Sequence, residues 1–298
     1  MTLDQLRIFV AVAERQHVTR GAQALNLAQS AASSAIAALE ARFATKLFNR
    51  IGRGIELTEA GRLFLAEAKA VLARAEAAEL ALAEIGGLKR GTLSVQASQT
   101  IASYWLPRHL VAFRRAHPGI EVRLSVGNTA QVAAAVHEGE AELGFVEGAV
   151  NDPELSSATV AHDQLVLVVG PEHAWARTGN VAPHDLTASE WVLREPGSGT
   201  RSAFETALEG FGLTLAALNV ALELPSNEAV RAAVEAGMGA TVISASVAAP
   251  SVEAGLLHRV GFALPERAFH VLRHRGRYRS HAGDALLDLV ALKRLSPP

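Results

Sequence analysis

Apolar positions recur at helical spacing from the start of the chain. Leu3, Leu6, Phe9, Val10 and Ala13 predict a first helix of about three turns. Thr19 is placed to cap a second helix, Arg20 to Leu25, and Asn26-Leu27-Ala28 reads as a tight turn. A third helix follows from Gln29 to Phe43. Ala32, Ile36, Leu39 and Phe43 share one of its faces, and Gln29, Ser30, Ser33 and Ser34 share the opposite one. Leu47-Phe48-Asn49-Arg50 and Gly54-Ile55-Glu56-Leu57 then flank Ile51-Gly52-Arg53, the pattern of a two-stranded wing with a glycine turn. Thr58-Glu59-Ala60-Gly61 supplies a cap for a long helix running to about Ile85, where Gly86-Gly87 stops it. Along this helix Phe64, Ala68, Val71, Ala75, Ala78, Leu82 and Ile85 alternate spacings of four and three, a heptad seam that predicts pairing with a second copy.

From residue 91 the pattern changes to apolar strands alternating with amphipathic helices. Strands are predicted at Thr92 to Gln96, Ile120 to Val126, Ala141 to Val146, Gln164 to Val169, Trp191 to Leu193, Val220 to Leu224 and Ala240 to Ser244. Helices fall between them: one ending at His117, then Thr129 to His137, Arg201 to Glu209 and Asn227 to Ala236, with a final helix from Ala282 to Leu295. This rhythm predicts an α/β body of mostly parallel sheets with helices on both faces. One large domain or two smaller lobes would satisfy it equally.

Composition narrows the class. Of 298 residues 49% are hydrophobic and 19% charged, enough apolar material for packed cores and too much for wholesale disorder. The absence of cysteine excludes disulfides, thiolate metal sites and a cysteine nucleophile. Asp4, Arg7 and Glu14 break the first apolar stretch, unlike a signal peptide, and the charge-free window 21–39 carries too many Gln, Asn and Ser residues for lipid. A soluble, cytoplasmic chain without membrane contact is expected. Charge is uneven: residues 1–61 hold seven Lys/Arg against five Asp/Glu, whereas residues 91–298 hold sixteen against twenty-one. A mildly basic head on an acidic body permits nucleic-acid binding by the head.

A helix with short polar residues on its outer face, held by two preceding helices, can lie in the DNA major groove. Gln29 can pair with an adenine edge, and Ser30, Ser33 and Ser34 can serve bases or phosphates. That face lacks a cation, so Arg20, Arg50 and Arg53 are the candidates for the phosphate backbone. The same helices could also form a bundle that mediates only protein contacts.

In the body, four polar turns follow predicted strands: Ala97-Ser98-Gln99-Thr100, Gly127-Asn128-Thr129, Glu195-Pro196-Gly197-Ser198-Gly199-Thr200-Arg201 and Pro225-Ser226-Asn227. Ligands of open α/β sheets bind at such strand ends, where helix N-termini offer free N–H groups. Each Ser or Thr could simply cap its own helix; four turns of one kind favour a site. Enzyme signatures are weak. The glycine-rich turn lacks the lysine of a P-loop and no G-x-S-x-G elbow occurs. His270 and His274 fall on a predicted strand, about 13 Å apart along the chain, so no metal pair, and no metal or cofactor, is expected. The basic run Arg273 to Arg279 reads as a solvated turn.

The run from Thr19 to Ile36, together with Leu39-Glu40, Leu47-Phe48-Asn49-Arg50 and Leu57-Thr58-Glu59-Ala60-Gly61, resembles the LysR-type transcriptional regulators, and the match extends through the long helix into the body. The sequence departs from the family where Ala28-Gln29-Ser30 replaces the usual Ser-Gln-Pro, and at Ser34, often a basic residue. The resemblance implies a winged helix-turn-helix over 1–57, a linker and dimerisation helix over 58–87 and an effector-binding body over 91–298. That body would resemble a two-lobed periplasmic binding protein, with lobe I at about 91–161 and 268–298 and lobe II at about 162–267. Carried onto this sequence, the positions facing the effector would be Ser98, Gln99, Thr100, Thr129, Glu147, Ser198, Thr200, Arg201 and Asn227. Arg194 to Arg201 is similar to the branch containing CbbR-like and sulfur-responsive regulators.

The partners so implied are double-stranded DNA bearing an interrupted palindrome, a second copy of the chain with extension to a homotetramer, a small-molecule effector, and RNA polymerase. The hydroxyls, the helix N-terminal amides and the Arg201 guanidinium point to a small anionic effector. Glu147 would then pair with Arg201 or meet a hydroxyl or amine of the ligand. An α/β enzyme with an accessory DNA-binding head is the alternative reading, and a solute-binding module whose head serves only assembly is a third.

Overall fold

The computed structural model describes residues 1–51, 54–85 and 91–292. Expectations for Gly52, Arg53, Gly86-Gly87 and the end of the final helix beyond residue 292 lie outside the described residues. Two compact units emerge among the described residues, a head of residues before 86, with which Glu138–Glu140 group, and a body formed by the rest after residue 90.

In the head, α1 (Leu3–Arg15) is opened by Thr2, whose hydroxyl accepts from Gln5 N–H while the Gln5 side chain accepts from Thr2 N–H. Helix α2 (Val18–Ala24) begins earlier than predicted, because His17 is the extended residue before it and its ring nitrogen accepts from Arg20 N–H. Asn26 turns the chain in a left-handed conformation, which asparagine tolerates, into α3 (Gln29–Phe43). Helix α1 is buried on two sides. Leu6, Phe9 and Ala13 pack with Leu39, Leu47 and Ala68, while Ile8 and Val12 pack with Ala22, Ala32 and Ile36. Gly21 permits the second contact, since a Cβ there would lie 2.5 Å from the Val12 side chain. The wing is an antiparallel pair, β1 (Phe48–Ile51) and β2 (Gly54–Leu57).

Glu40 fastens α3 to the wing: its carboxylate accepts from Leu47 N–H at 2.9 Å, Phe48 N–H at 3.3 Å and Lys46 Nζ at 2.6 Å. Burial alone would raise the Glu40 pKa, but these donors outweigh it and hold the group below its usual range. Phe43, predicted on the core face, is 54% exposed instead. It is the last residue of α3, and the chain reverses at Ala44 before Phe43 can be covered.

Helix α4 (Glu59–Ile85) is the long helix, with Thr58 accepting from Gly61 N–H at its start. The head itself uses the first part of the heptad seam. Ala68 is buried in the head core and the Phe64 ring lies 4.8 Å from that of Phe9. Val71 and Leu82 are exposed, at 42% and 72%. Any pairing surface on the described seam therefore starts after Ala68.

The body begins with β3 (Gly91–Ser98). The predicted helix to His117 is two pieces: a π-helical turn from Ile101 to Trp105, then α5 (Pro107–Ala116). Pro107 lacks the N–H an uninterrupted helix needs and is well suited to a first turn. There follow β4 (Ile120–Gly127), α6 (Thr129–Glu138), β5 (Leu143–Glu147), β6 (Leu155–Val169), the short α7 (Ala174–Thr178), β7 (Glu190–Arg194), α8 (Gly199–Gly210), β8 (Asn219–Leu224), α9 (Asn227–Glu235), β9 (Ala240–Ser244), α10 (Ala245–Glu253), β10 (His258–Val260), β11 (Glu266–His274) and α11 (His281–Leu292).

The sheet order is β4-β3-β5-β11-β6-β9-β7-β8, with β10 also on β6. Strand β3 is parallel to β4 and β5, and β7 is parallel to β8 and β9, as the β-α rhythm predicts. The strands between these groups are antiparallel, which corrects the expectation of mostly parallel sheets. Strand β6 pairs with β11 through Gln164 and with β9 from Leu165, so it runs from one lobe into the other. Its first half escaped the sequence reading because Ser156, Ser157, Thr159, His162 and Asp163 dilute the apolar alternation.

Each lobe has its own core. Leu93, Phe113, Phe145 and Leu286 centre the first; Trp191 and Phe204 on one face of the second sheet, and Val168, Val230 and Ile243 on the other, centre the second. The basic run after β11 is bound into the first lobe: Arg273 pairs with Asp284, and Arg277 donates to the Val136 and His137 carbonyls. Much of that run is structural rather than a solvated turn.

Candidate functional site

Two sets of polar residues stand out, one in each unit. On the head, Gln29, Ser30, Ser33 and Ser34 are all exposed on α3, opposite the buried Ala32, Ile36 and Leu39. Ala28 provides no side-chain cap, so the first turn of α3 presents backbone N–H groups to whatever lies before it. Arg20 on α2 and Arg50 on β1 are exposed and have no carboxylate partner among the described residues. Free guanidinium groups beside a polar helix face make a surface able to meet phosphates and base edges together.

The body set lies where strand ends and helix starts from the two lobes meet. From the first lobe come Ser98, Gln99 and Thr100 after β3, Thr129 at the start of α6, and Glu147 at the end of β5. From the second come Ser198 and Thr200 at the start of α8 and Asn227 at the start of α9. All of these except Gln99 are buried. Asn227 is the central clasp: its N–H donates to Gln99 Oε1 at 2.7 Å and its Nδ2 to Thr100 Oγ1 at 3.0 Å. Asn128 Nδ2 reaches Glu195 Oε1 at 3.2 Å, and Ala130 N–H donates to the Gly197 carbonyl. Gly199 lets the lobes close this far, because a Cβ there would lie 2.5 Å from both the Glu147 carbonyl and Thr129 Oγ1.

One sequence-derived residue is directed elsewhere. Arg201 is held by Glu205 at 2.9 Å, by Glu223 at 2.9 Å and by the Arg194 carbonyl at 3.0 Å. Burial would lower its pKa, but the two carboxylates outweigh that and raise it. Its donors are committed within the second lobe, and the proposed Arg201–Glu147 pair does not form.

Arg267, on β11, takes that place. Its Nη1 donates to Thr200 Oγ1 at 2.9 Å, its Nε and Nη2 meet Asp163 at 2.8 and 2.7 Å, and Glu147 stands 3.9 Å from Nη2. Ser244 donates to the other Asp163 oxygen at 2.8 Å. Arg194, also buried, donates to Asn227 Oδ1 at 2.6 Å and to Glu195. Burial would raise the Glu195 pKa, yet the donors Arg194 and Asn128 hold it below its usual range.

Arg267, Asp163 and Arg194 went unnoticed in the sequence, although a signal was there. Arg267 shares strand parity with the buried Phe269 and Val271, and Asp163 shares it with Leu165 and Leu167, so alternation puts each charge on a core-facing row. Ser98 adds a loose end: its hydroxyl, like Arg267 Nη2, is buried and has no hydrogen-bond partner. Buried polar groups are ordinarily satisfied, so an orphan at a strand end calls for an absent partner.

Among the described residues no helix is long and apolar enough to cross a membrane, and no His/Cys/Asp/Glu cluster could hold a metal ion. Comparison with known proteins matches residues 3–62 to a family described as bacterial regulatory helix-turn-helix protein, lysR family, and residues 86–293 to the LysR substrate binding domain. The chain is 34% identical over 286 residues to a probable RuBisCO transcriptional regulator of Cyanidioschyzon merolae, covering 94% of each protein. It resembles full-length CbnR complexed with its target DNA at a TM-score of 0.71 and 24% identity, covering 98% of this chain and 99% of that one. Its body resembles the Synechocystis PCC6803 CcmR regulatory domain in complex with 2-PG at a TM-score of 0.63 and 28% identity, covering 70% of this chain and all of that domain. An α3 face ready for DNA, joined to a two-lobed body of substrate-binding type, thus has its explanation: the chain belongs to the LysR family of bacterial helix-turn-helix transcriptional regulators.

Proposed function

We propose that this regulator senses a small anionic metabolite between the lobes of its body. Ser98, Thr100, Thr129 and Thr200 would supply hydroxyls, and Arg267, rather than Arg201, the cation. The observation that carries the reading is the buried, unpartnered Ser98 hydroxyl among turns already bonded from lobe to lobe. Arg267 and Thr200 bind each other directly, and a ligand oxygen inserted between them would keep both satisfied. The 2-PG bound by the related CcmR domain supports a ligand of this size and polarity.

On DNA, Gln29, Ser30, Ser33 and Ser34 would face the major groove while Arg20, Arg50 and Arg53 hold phosphates. The exposed part of the α4 seam, from Val71 to Leu82, would pair two copies and place two heads on an interrupted palindrome in the cytoplasm. An effector alters this assembly only by binding one lobe arrangement more tightly than another, since equal affinity shifts no population.

Calorimetry of the full chain against 2-PG, inorganic phosphate, sulfate and small carboxylates tests the effector reading. At least one anion should bind, and Ser98→Ala and Arg267→Gln should each weaken it about tenfold or more, the loss of one good bond. Tight binding of neutral or cationic compounds only, indifferent to both substitutions, overturns it.

A further inference from the structure

A chain of hydrogen bonds runs from a buried guanidinium of the second lobe to a hydroxyl of the first, and each bond has a fixed direction. Arg194, at the end of β7, is 5% exposed. Its Nε and Nη2 grip the two Glu195 oxygens at 2.8 and 3.0 Å, and Asn128 of the first lobe holds Glu195 in turn. Its Nη1 lies 2.6 Å from the Asn227 side-chain amide. A guanidinium can only donate, so the Asn227 atom it meets must be the oxygen. The amide nitrogen is thereby turned toward Thr100 Oγ1, at 3.0 Å. That nitrogen also only donates. Thr100 therefore accepts this bond, and its own hydrogen has to go elsewhere.

Thr100 is buried, and no other hydrogen bond of its side chain occurs among the described residues. Thr129 shows the contrast: its hydroxyl hydrogen is spent on the Glu147 carbonyl at 3.1 Å. Two residues before Thr100, the buried Ser98 hydroxyl has no partner either. Buried hydroxyls are ordinarily satisfied, so two open ones after a single strand call for an acceptor from outside the chain. Were Asn227 turned over, its amide hydrogens would face the guanidinium and its oxygen would draw the Thr100 hydrogen inward. Arg194 excludes that state.

We propose that Arg194 is a positioning residue that sets the hydrogen-bond polarity of the cleft: by fixing Asn227 it makes Thr100 a donor to the effector. The proposal rests on the effector reading given above and adds the device behind its selectivity. An oxyanion, which only accepts, gains a bond from Thr100. An ammonium, which only donates, meets a hydrogen where it needs a lone pair.

The test is a double-mutant cycle read by calorimetry of the full-length protein with inorganic phosphate and with 2-PG. Thr100→Val should weaken the anion about tenfold or more, the loss of one charge-assisted bond. Asn227→Asp reverses the relay, because one carboxylate oxygen would accept from Arg194 and the other from the Thr100 hydroxyl. It should fold, since an acidic residue beside Arg194 and in the first turn of α9 is well placed. It should also weaken the anion about tenfold or more, and adding Thr100→Val to it should then cost less than about twofold. Simple charge repulsion by the new carboxylate would leave Thr100→Val as costly as in the native chain, and that result overturns the proposal. Arg194→Met, which frees Asn227 to turn over, should weaken binding about tenfold, and Arg194→Lys should recover most of it. Equal binding by Arg194→Met and the native chain overturns the proposal, and if Arg194→Met does not fold the cycle decides alone. An anion that binds and responds to Ser98→Ala and Arg267→Gln, but shows an additive cycle, removes this inference and leaves the effector reading standing. Failure of both anions to bind the native chain removes the two together.

Discussion

The α3 face and the interlobe turns are both built from short polar side chains, yet they solve opposite problems. On α3 the residues are exposed, come from one helix and leave their polar groups to solvent. In the body all but Gln99 are buried, they come from segments as much as 128 residues apart, and several are bonded to one another. An exposed polar group gives up water only when its partner arrives, so such a surface costs the fold little. A buried one must be satisfied within the fold, so the cleft belongs to the stability of the body as well as to its chemistry. Substitutions should therefore separate the two regions sharply: the body site should lose stability, and the head face should lose only binding.

The largest effect is expected at Asp163. Asp163→Ala leaves Arg267 buried with Thr200 as a hydrogen-bond partner and Glu147, at 3.9 Å, as the nearest remaining carboxylate. Breaking such a pair costs about 3–5 kcal/mol, and the remaining Glu147 favours the lower end. Urea unfolding of the body should show it, and a cost below about 1 kcal/mol would mean the pair is less dry than its burial implies. Next comes the helix seam. Val71→Asp with Leu82→Asp places unpaired charge in the proposed pairing surface, and sedimentation should show dissociation to monomers. An intact dimer would move the pairing elsewhere.

Smaller effects are expected on the head. Gln29→Ala should cost about 1–3 kcal/mol of operator affinity and relax one base position, with unfolding unchanged within about 0.5 kcal/mol. Arg50→Ala should instead weaken all DNA sequences alike and lower the salt slope by about one. Equal losses of specificity in both variants would erase the distinction between reading and holding.

The smallest effect concerns Glu40, the head's own half-buried carboxylate. Its folded pKa lies below the unfolded value, so its contribution is complete above the unfolded pKa and is lost as pH falls through the folded one. Head stability should decline in that acidic window, and Glu40→Gln should flatten the decline. An unchanged pH profile in the variant would show that other carboxylates govern it.

How far each region could be read in advance follows from the same contrast. The α3 face was legible because a helix places residues three and four apart on one side, so Gln29, Ser33 and Ser34 declare themselves within a single turn or two. The wing and the strand-helix rhythm were legible for the same reason, as repeats of local pattern. Helix α2 shifted because the choice between His17 and Thr19 as cap depends on backbone angles, which neither side chain dictates alone. The first half of β6 was missed because a strand rich in Ser and Thr is stabilised by its partner β11 rather than by its own apolar content.

The sequence by itself thus determined the head, the long helix, the α/β character of the body and the polar turns that gather at its strand ends. Each of these rests on hydrophobic periodicity, capping or turn chemistry, which act over a few residues. Tertiary structure alone decided which charges meet. Arg201 was the cation the sequence offered, but Glu205 and Glu223 claim it, while the crossing of β6 and β11 delivers Arg267 to Thr200, Asp163 and Glu147. Charge pairing is settled by distances of a few ångströms between remote segments, and those distances exist only once the two lobes have folded against their shared strands.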